Sequence, residues 1–216
     1  MAGENSRVEG PRQGRARALP SSFYLRDTAQ VARDLLGLRL VRTLPDGSRR
    51  SAIIVETEAY LGIEDPAAHT WKGRRTPRVS PMWGPGGHAY VYFIYGIHHC
   101  LNVVTGETGT PQAVLLRAAV SEAWWLGKPS TRDELRRLSG PGRLCRTLEI
   151  TRELSGVPLS GPDLVLEEGP TRSFAVLEGP RIGVEYSGEA AGWPLRFGVA
   201  GCPAVSQARK LSPRIR

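Results

Sequence analysis

Apolar side chains recur along the chain first at helical spacing and then mostly in alternation. Asp27, with Gln30 three residues on, makes a capping-box pattern, and Val31, Leu35 and Leu36 follow at helical intervals before Gly37. Leu38–Thr43 then reads as a strand, Pro45-Asp46-Gly47 as a turn and Ser51–Tyr60 as the next strand. Ala89–Tyr95, rich in Tyr, Val, Phe and Ile, is a further strand. Gly96 marks a turn, His99–Val104 the return strand, Gly106–Gly109 another turn and Gln112–Val120 another strand. Thr131 and Glu134 repeat the capping-box pattern ahead of Leu135 and Leu138, and Gly140-Pro141 opens a short helix through Leu148. Leu164–Glu167, Arg181–Tyr186 and Leu195–Val199 are strand-like pieces separated by Gly and Pro. Strands joined mainly by turns pair antiparallel. The pattern therefore predicts a single α+β domain, with a curved, mainly antiparallel β-sheet flanked by several helices.

Three stretches fall outside this pattern. Residues 1–19 hold almost no large apolar groups and read as a flexible basic tail. Residues 207–216 contain four basic groups and no acid, and read as a second basic tail. That leaves 20–206 as the folded domain. Inside it, Gly62–Gly87 is a basic loop with repeated Pro and Gly, too long for a mere connector, and loops of this length usually carry function.

Composition narrows the function classes. The 216 residues include 29 basic and 21 acidic groups, for a formal charge of +8. A positive protein of this size attracts polyanions in a salt-dependent way. Only Lys72, Lys128 and Lys210 are lysines; the other basic groups are Arg. That excess fits a compositional bias of the source genome, and it equally fits a surface that grips phosphates bidentately. No run of about 18 apolar residues is present, so no membrane span is expected, and no apolar stretch follows the N-terminal arginines as a secretory signal requires. Three cysteines, Cys100, Cys145 and Cys202, are too few for a disulfide framework and lack zinc-ligand spacing. His98 and His99 point to opposite faces of a strand, so neither a metal nor another cofactor is expected.

Chemistry concentrates in Ile53–Tyr60. On a strand, Ile54, Glu56, Glu58 and Tyr60 share one face, and Ile53, Val55, Thr57 and Ala59 the other. If the odd-numbered face is core, the even face presents two carboxylates and an aromatic ring. Such a face is either a solvated sheet edge or a site, and the neighbouring tyrosine together with His69 favours the site. A carboxylate beside an aromatic wall suits a general base. Arg117 sits in the apolar run Ala113–Val120, where an arginine needs a carboxylate partner such as Glu58. Tyr95, at the end of its strand before Gly96, would be exposed at a hairpin tip and could wedge between stacked bases. The segment Lys72-Gly73-Arg74-Arg75-Thr76-Pro77-Arg78 would suit a phosphate backbone.

These residues resemble the alkyladenine (3-methyladenine) DNA glycosylase family. The similarity rests on Ile54–Gly62, Glu64-Asp65, Ala67-Ala68-His69, Gly73-Arg74, Thr76-Pro77-Arg78, Met82, Tyr90-Val91-Tyr92 and Ile94-Tyr95-Gly96. It continues through Cys100, Asn102, Leu115–Ala118, Gly140-Pro141, Leu144-Cys145, Arg181-Ile182-Gly183 and Pro194–Phe197, and spans roughly Leu19 to Val205. The resemblance implies that Glu58 is the general base activating water, with Arg117 and the main-chain carbonyl of Ile182 helping to hold that water. It implies that Tyr60 stacks on one face of an extruded base, that His69 and Tyr92 cover the other, and that Asn102 obstructs the 2-amino group of normal guanine. Tyr95 matches the side chain that fills the gap left in the duplex. Arg143 falls at a phosphate contact, beside the candidate backbone contacts Arg74, Arg75 and Arg78. Three positions differ: Ile97-His98 stand where Met-Tyr is common, and Val79 stands where Asn is usual.

The implied activity is hydrolysis of the N-glycosidic bond of a damaged purine flipped out of double-stranded DNA. The implied substrates are 3-methyladenine, 7-methylguanine, hypoxanthine and ethenoadenine. Glycosylases that also nick the strand use an amine to form a Schiff base. None of the three lysines belongs to the Glu58/Tyr92/Arg117 group, so a monofunctional enzyme without lyase activity is expected. A monomer working without cofactor on DNA in the bacterial cytoplasm, at the nucleoid, is expected too. A non-catalytic nucleic-acid-binding module and an RNA-modifying hydrolase are the rival readings; Glu58→Gln and RNA substrates discriminate them.

Overall fold

The computed structural model describes residues 18–213. The N-terminal tail expected over 1–19 lies outside them except for Ala18 and Leu19. Ala18 bridges to Glu167, and Leu19 N–H bonds the carbonyl of Leu166.

Among the described residues, nine strands form one antiparallel sheet: β1 (Arg39–Thr43), β2 (Arg49–Tyr60), β3 (Ala89–Ile94), β4 (His98–Thr105), β5 (Gln112–Val120), β6 (Leu164–Glu167), β7 (Val176–Gly179), β8 (Arg196–Val199) and β9 (Ser212–Pro213). The order is β3-β4-β5-β2-β8-β7-β9, with β1 and β6 branching from the first half of β2. The α+β class read from the sequence holds. Gln112–Val120 falls where the alternation put it, and the other early strands shift by one or two residues.

β2 is the hub of the sheet. Its first half pairs with β1, its second half with β8, and β5 runs along its other edge. Both of its faces are buried from Ala52 to Ala59, so the solvated-edge reading fails. A parity rule still operates. Ile53, Val55 and Ala59 join Val91, Leu101, Val103, Val114, Leu116 and Ala118 in the main apolar core, and the Thr57 hydroxyl donates to the carbonyl of Ala32 at 2.7 Å. That carbonyl belongs to α2 (Thr28–Asp34), which begins where the sequence placed it, with the Asp27 carboxylate accepting from Gln30 N–H at 2.8 Å. Ala52 and Ile54 also belong to the core, and only after the register shift at Ile54–Glu56 do the even positions Glu56, Glu58 and Tyr60 carry the polar groups.

α1 (Ser21–Tyr24) and α3 (Glu122–Trp125) are single turns, too short to leave a periodic signature. α4 (Arg132–Leu138) starts at the Thr131/Glu134 capping box, and α5 (Pro141–Thr147) starts after Gly140. α5 packs on β4 and β5. The stretch from Gly62 to Gly87 is more ordered than a loop reading suggests. It holds 3-10 turns at Gly62–Glu64, Trp71–Gly73 and Pro77–Trp83, and Val79 and Met82 bury against Tyr90, Val104 and Ala113.

The strand expected at Arg181–Tyr186 is absent; the pairing strand is β7, just before it. The reason is local. Gly183 has φ +76°, the Arg181 side chain turns inward, and Ile182 N–H bonds the Glu58 carboxylate at 2.8 Å instead of a neighbouring strand. Residues 207–213, read from the sequence as part of a tail, carry a 3-10 turn, the buried Leu211 and the short β9 paired to β7.

Candidate active site

Register places the even face of β2 at the base of a cavity. Glu58 pairs with Leu115, Leu115 with Asn102, Asn102 with Tyr90, and Tyr92 with Cys100. One row of side chains thus crosses four strands on a single face of the sheet. The cavity above this row has a volume of about 440 Å³, within the range of small-ligand sites. Tyr60, His69, Tyr92, Asn102, Arg117 and Ile182 all line it.

Two carboxylates with no solvent exposure anchor the row. Glu58 Oε1 accepts from Ile182 N–H at 2.8 Å, and its Oε2 accepts from the Tyr60 hydroxyl at 2.9 Å. Arg117 Nη1 lies 3.2 Å from the same Oε2, and Arg117 Nε lies 3.3 Å from Glu56 Oε1. Glu56 also accepts from Arg196 Nη1 at 3.0 Å and from Ser206 N–H at 3.0 Å. The arginine in the apolar run therefore has two partners, where one sufficed for the sequence argument. Glu56, Glu58, Arg117 and Arg196 sum to zero formal charge, which makes their joint burial tolerable. Burial works against the charge on Arg117, yet Glu58 and then Glu56 outweigh it and hold its pKa above the ordinary value.

Glu58 itself is not part of the cavity wall, but Tyr60, Arg117 and Ile182, its three partners, are. A carboxylate offers about four acceptor positions. Three are taken here, by Tyr60, Arg117 and Ile182.

Aromatic rings form much of the rest of the wall. His69 meets Tyr92 edge to face at 4.6 Å between centroids, and its Nδ1 lies 2.9 Å from the Tyr90 hydroxyl. Burial, followed by the charges of Arg78 and Arg74, lowers the His69 pKa to about 4, so its ring is neutral at pH 7. Burial pushes the Tyr90 hydroxyl up to about 12, and it pushes Tyr60 and Tyr92 well above the ordinary tyrosine value. Asn102 is fixed by its own amide, which donates to the carbonyl of Tyr90 at 3.0 Å.

At the rim, Tyr95 is 85% exposed. It occupies a hairpin turn with φ +53°, followed by Gly96 at +68°, the sign pattern of an I′ turn. A bulky residue in this region is uncommon and costs local strain. His98 packs beneath this tip, and a Cβ at Gly142 would come within 2.8 Å of its ring, so α5 approaches the hairpin only because position 142 is glycine. Ile97, beside the tip, is 69% exposed.

The predicted basic contacts divide. Arg143 reaches the rim and donates to the carbonyl of Ser139. Arg74, Arg75 and Arg78 are exposed but lie outside the wall. Arg75 stacks on Trp83 at 3.8 Å, and Arg78 sits 5.5 Å from the Tyr92 centroid. Sequence reasoning missed the buried arginines Arg181 and Arg196. Arg196 interrupts the apolar run Leu195–Val199 just as Arg117 interrupts its own, and the same argument would have found it.

The model of the family described as methylpurine-DNA glycosylase (MPG) matches residues 22–203. A protein of Anaeromyxobacter dehalogenans, provisionally named a 3-methyladenine DNA glycosylase, is 53% identical over 190 residues, 88% of this chain and 85% of its own length. Proteins with the same provisional name from Bacillus cereus and Clostridium acetobutylicum are 45% and 44% identical over 202 and 199 residues, each 87% of this chain and 98% and 97% of their own lengths. The match runs through every strand from β1 to β8 and through all the wall residues described above, and the chain belongs to the methylpurine-DNA glycosylase family.

Proposed function

We propose that this protein is a monofunctional DNA glycosylase that flips alkylated or deaminated purines out of duplex DNA into the 440 Å³ cavity and hydrolyses their N-glycosidic bond. The observation that carries this reading is the buried Glu58, held by Tyr60, Arg117 and Ile182, all three of which line an aromatic cavity. The bond breaks through an oxocarbenium-like sugar. Glu58 stabilises that positive charge and takes a proton from the attacking water, which Arg117 and the main-chain carbonyl of Ile182 help to hold.

Extruding a base costs a few kcal/mol, least for damaged or poorly paired bases. Stacking returns about 1–3 kcal/mol per base. Tyr60 supplies one stacking face, and His69 and Tyr92 cover the other. Asn102 obstructs the 2-amino group of guanine. Tyr95 fills the gap in the duplex, and the strained turn keeps its ring outside the fold. Arg74, Arg75, Arg78 and Arg143 contact the phosphate backbone.

The wall supplies no strong acid: His69 is neutral and the tyrosines hold their protons tightly. Cationic leaving groups such as 3-methyladenine and 7-methylguanine need none. Neutral hypoxanthine and ethenoadenine take their proton from solvent. Lys72, Lys128 and Lys210 are not among the wall residues, which supports hydrolysis without strand cleavage. The enzyme works as a monomer on DNA in the bacterial cytoplasm, at the nucleoid. A single-turnover assay of base release from duplex DNA carrying each of the four lesions tests this reading, with borohydride present in a parallel reaction. Release of free base without a trapped protein–DNA adduct is expected. Release only from RNA, or a trapped adduct, contradicts it.

A further inference from the structure

A second buried ion pair lies directly behind the cavity. The side chains of Arg181 and Asp65 have no solvent exposure, and both guanidinium ends meet the carboxylate, Nη2 at 2.9 Å from Oδ1. Arg181 also donates to the carbonyls of Ala59 at 3.0 Å and Ala190 at 3.3 Å. Asp65 accepts in addition from the N–H groups of Leu61 and Ala67, each at 3.0 Å.

The position of the pair matters more than its strength. The Arg181 guanidinium lies 4.7 Å from the centroid of the Tyr60 ring. Tyr60 lines the cavity, and neither Arg181 nor Asp65 does. The guanidinium therefore covers the ring face turned away from the cavity. An aromatic face attracts a cation through its negative quadrupole. A second cation stacked on the opposite face of the same ring would sit roughly 8 Å from the first and feel its repulsion through a poorly screened interior. Asp65 cancels that repulsion.

We infer that the Asp65–Arg181 pair sets the charge preference of the cavity: by keeping the cation behind Tyr60 neutralised, it leaves the front of the ring able to accept a positively charged purine. This rests on the function proposed above. Arg181 acts through the ring, as a positioning residue that never touches the base. A pair that only clamped the loops together would weaken the binding of all lesions alike.

The test reads, from the protein-concentration dependence of single-turnover release, the affinity for duplex DNA carrying 7-methylguanine, which is cationic as it binds, and hypoxanthine, which is neutral until it is protonated on leaving, and takes the ratio of the two affinities. Asp65→Asn leaves the positive charge behind Tyr60 uncompensated and is expected to lower the cationic-to-neutral ratio by about fivefold to tenfold. Arg181→Gln leaves the negative charge and should move the ratio the other way. The double variant Asp65→Asn/Arg181→Gln keeps a neutral hydrogen-bonded pair and should return the ratio to within about twofold of the parent. A single variant that fails to fold still leaves the opposite-signed variant and the double variant to read. An affinity ratio that stays at the parent's value in the folded single variants overturns the inference while leaving the proposed function intact. A parent protein that releases neither base overturns the function itself.

Discussion

Glu56 and Glu58 stand two residues apart on one face of one strand, and neither is exposed to solvent. Their surroundings nevertheless differ. Glu56 is bound on every side by structure: Arg196 reaches it from β8, Ser206 N–H from the chain after β8, and Arg117 from β5. Glu58 is bound by groups that are themselves in the cavity wall, namely Tyr60, Arg117 and Ile182. Burial and ionisable type alone do not mark a reactive carboxylate. What separates the two is whether the partners face packed protein or an open space where a substrate can sit.

The sharpest way to break this comparison is to neutralise each carboxylate in turn. Glu58→Gln should cost base release on the order of 10²–10⁴-fold, with the protein still folded, since glutamine keeps the shape and Arg117 keeps Glu56 as a charge partner. Glu56→Gln should act first on stability. It leaves Arg196 and Arg117 short of a charge partner in the interior, which costs about 3–5 kcal/mol and lowers Tm by roughly 10 °C in a domain this size. A thermal melt beside a rate measurement distinguishes the two. If Glu56→Gln abolishes release without lowering Tm, the division of labour is wrong.

Arg117→Lys tests the residue that joins them. A lysine cannot bridge two carboxylates with a fixed fork, so release should fall by about tenfold or more while the fold persists. His69 sharpens the cavity side of the comparison through pH. Its pKa is lowered to about 4 in the fold from an ordinary 6.5, so the unfolded chain binds more protons between those values. The stability His69 contributes is complete above pH 6.5 and is lost as pH falls towards 4, by at most about 3 kcal/mol. Urea unfolding at pH 7.5 and 4.5 should show the loss, and His69→Gln should reduce it. The smallest effect belongs to Arg75→Ala, which should weaken DNA binding on all sequences alike and flatten the salt dependence by about one phosphate contact.

The β2 site was legible because strand parity and burial make strong demands. Glu56, Glu58 and Tyr60 had to share a face, and an arginine in Ala113–Val120 had to find an acid. The parts that were not legible depend on contacts far apart in the chain. Nothing near Glu56 announces that Ser206 N–H will reach it, and nothing near Asp65 announces Arg181. Arg181–Tyr186 looked like a strand because its apolar residues alternate, but its side chains and an N–H are spent on Asp65 and Glu58. Residues 207–213 looked like a tail because they are basic, while the single buried Leu211 and the pairing of β9 with β7 hold them on the sheet. Local pattern reads the frame of the sheet; the closing of the cavity comes from pairings more than 100 residues apart.

The most direct test of the account is single-turnover base release from methylated duplex DNA by the parent protein and by Glu58→Gln, with both fully bound to the DNA. The account predicts rapid release by the parent and a rate at least about 100-fold lower for the variant, which remains folded. Release at the parent's rate by a folded Glu58→Gln protein would contradict it.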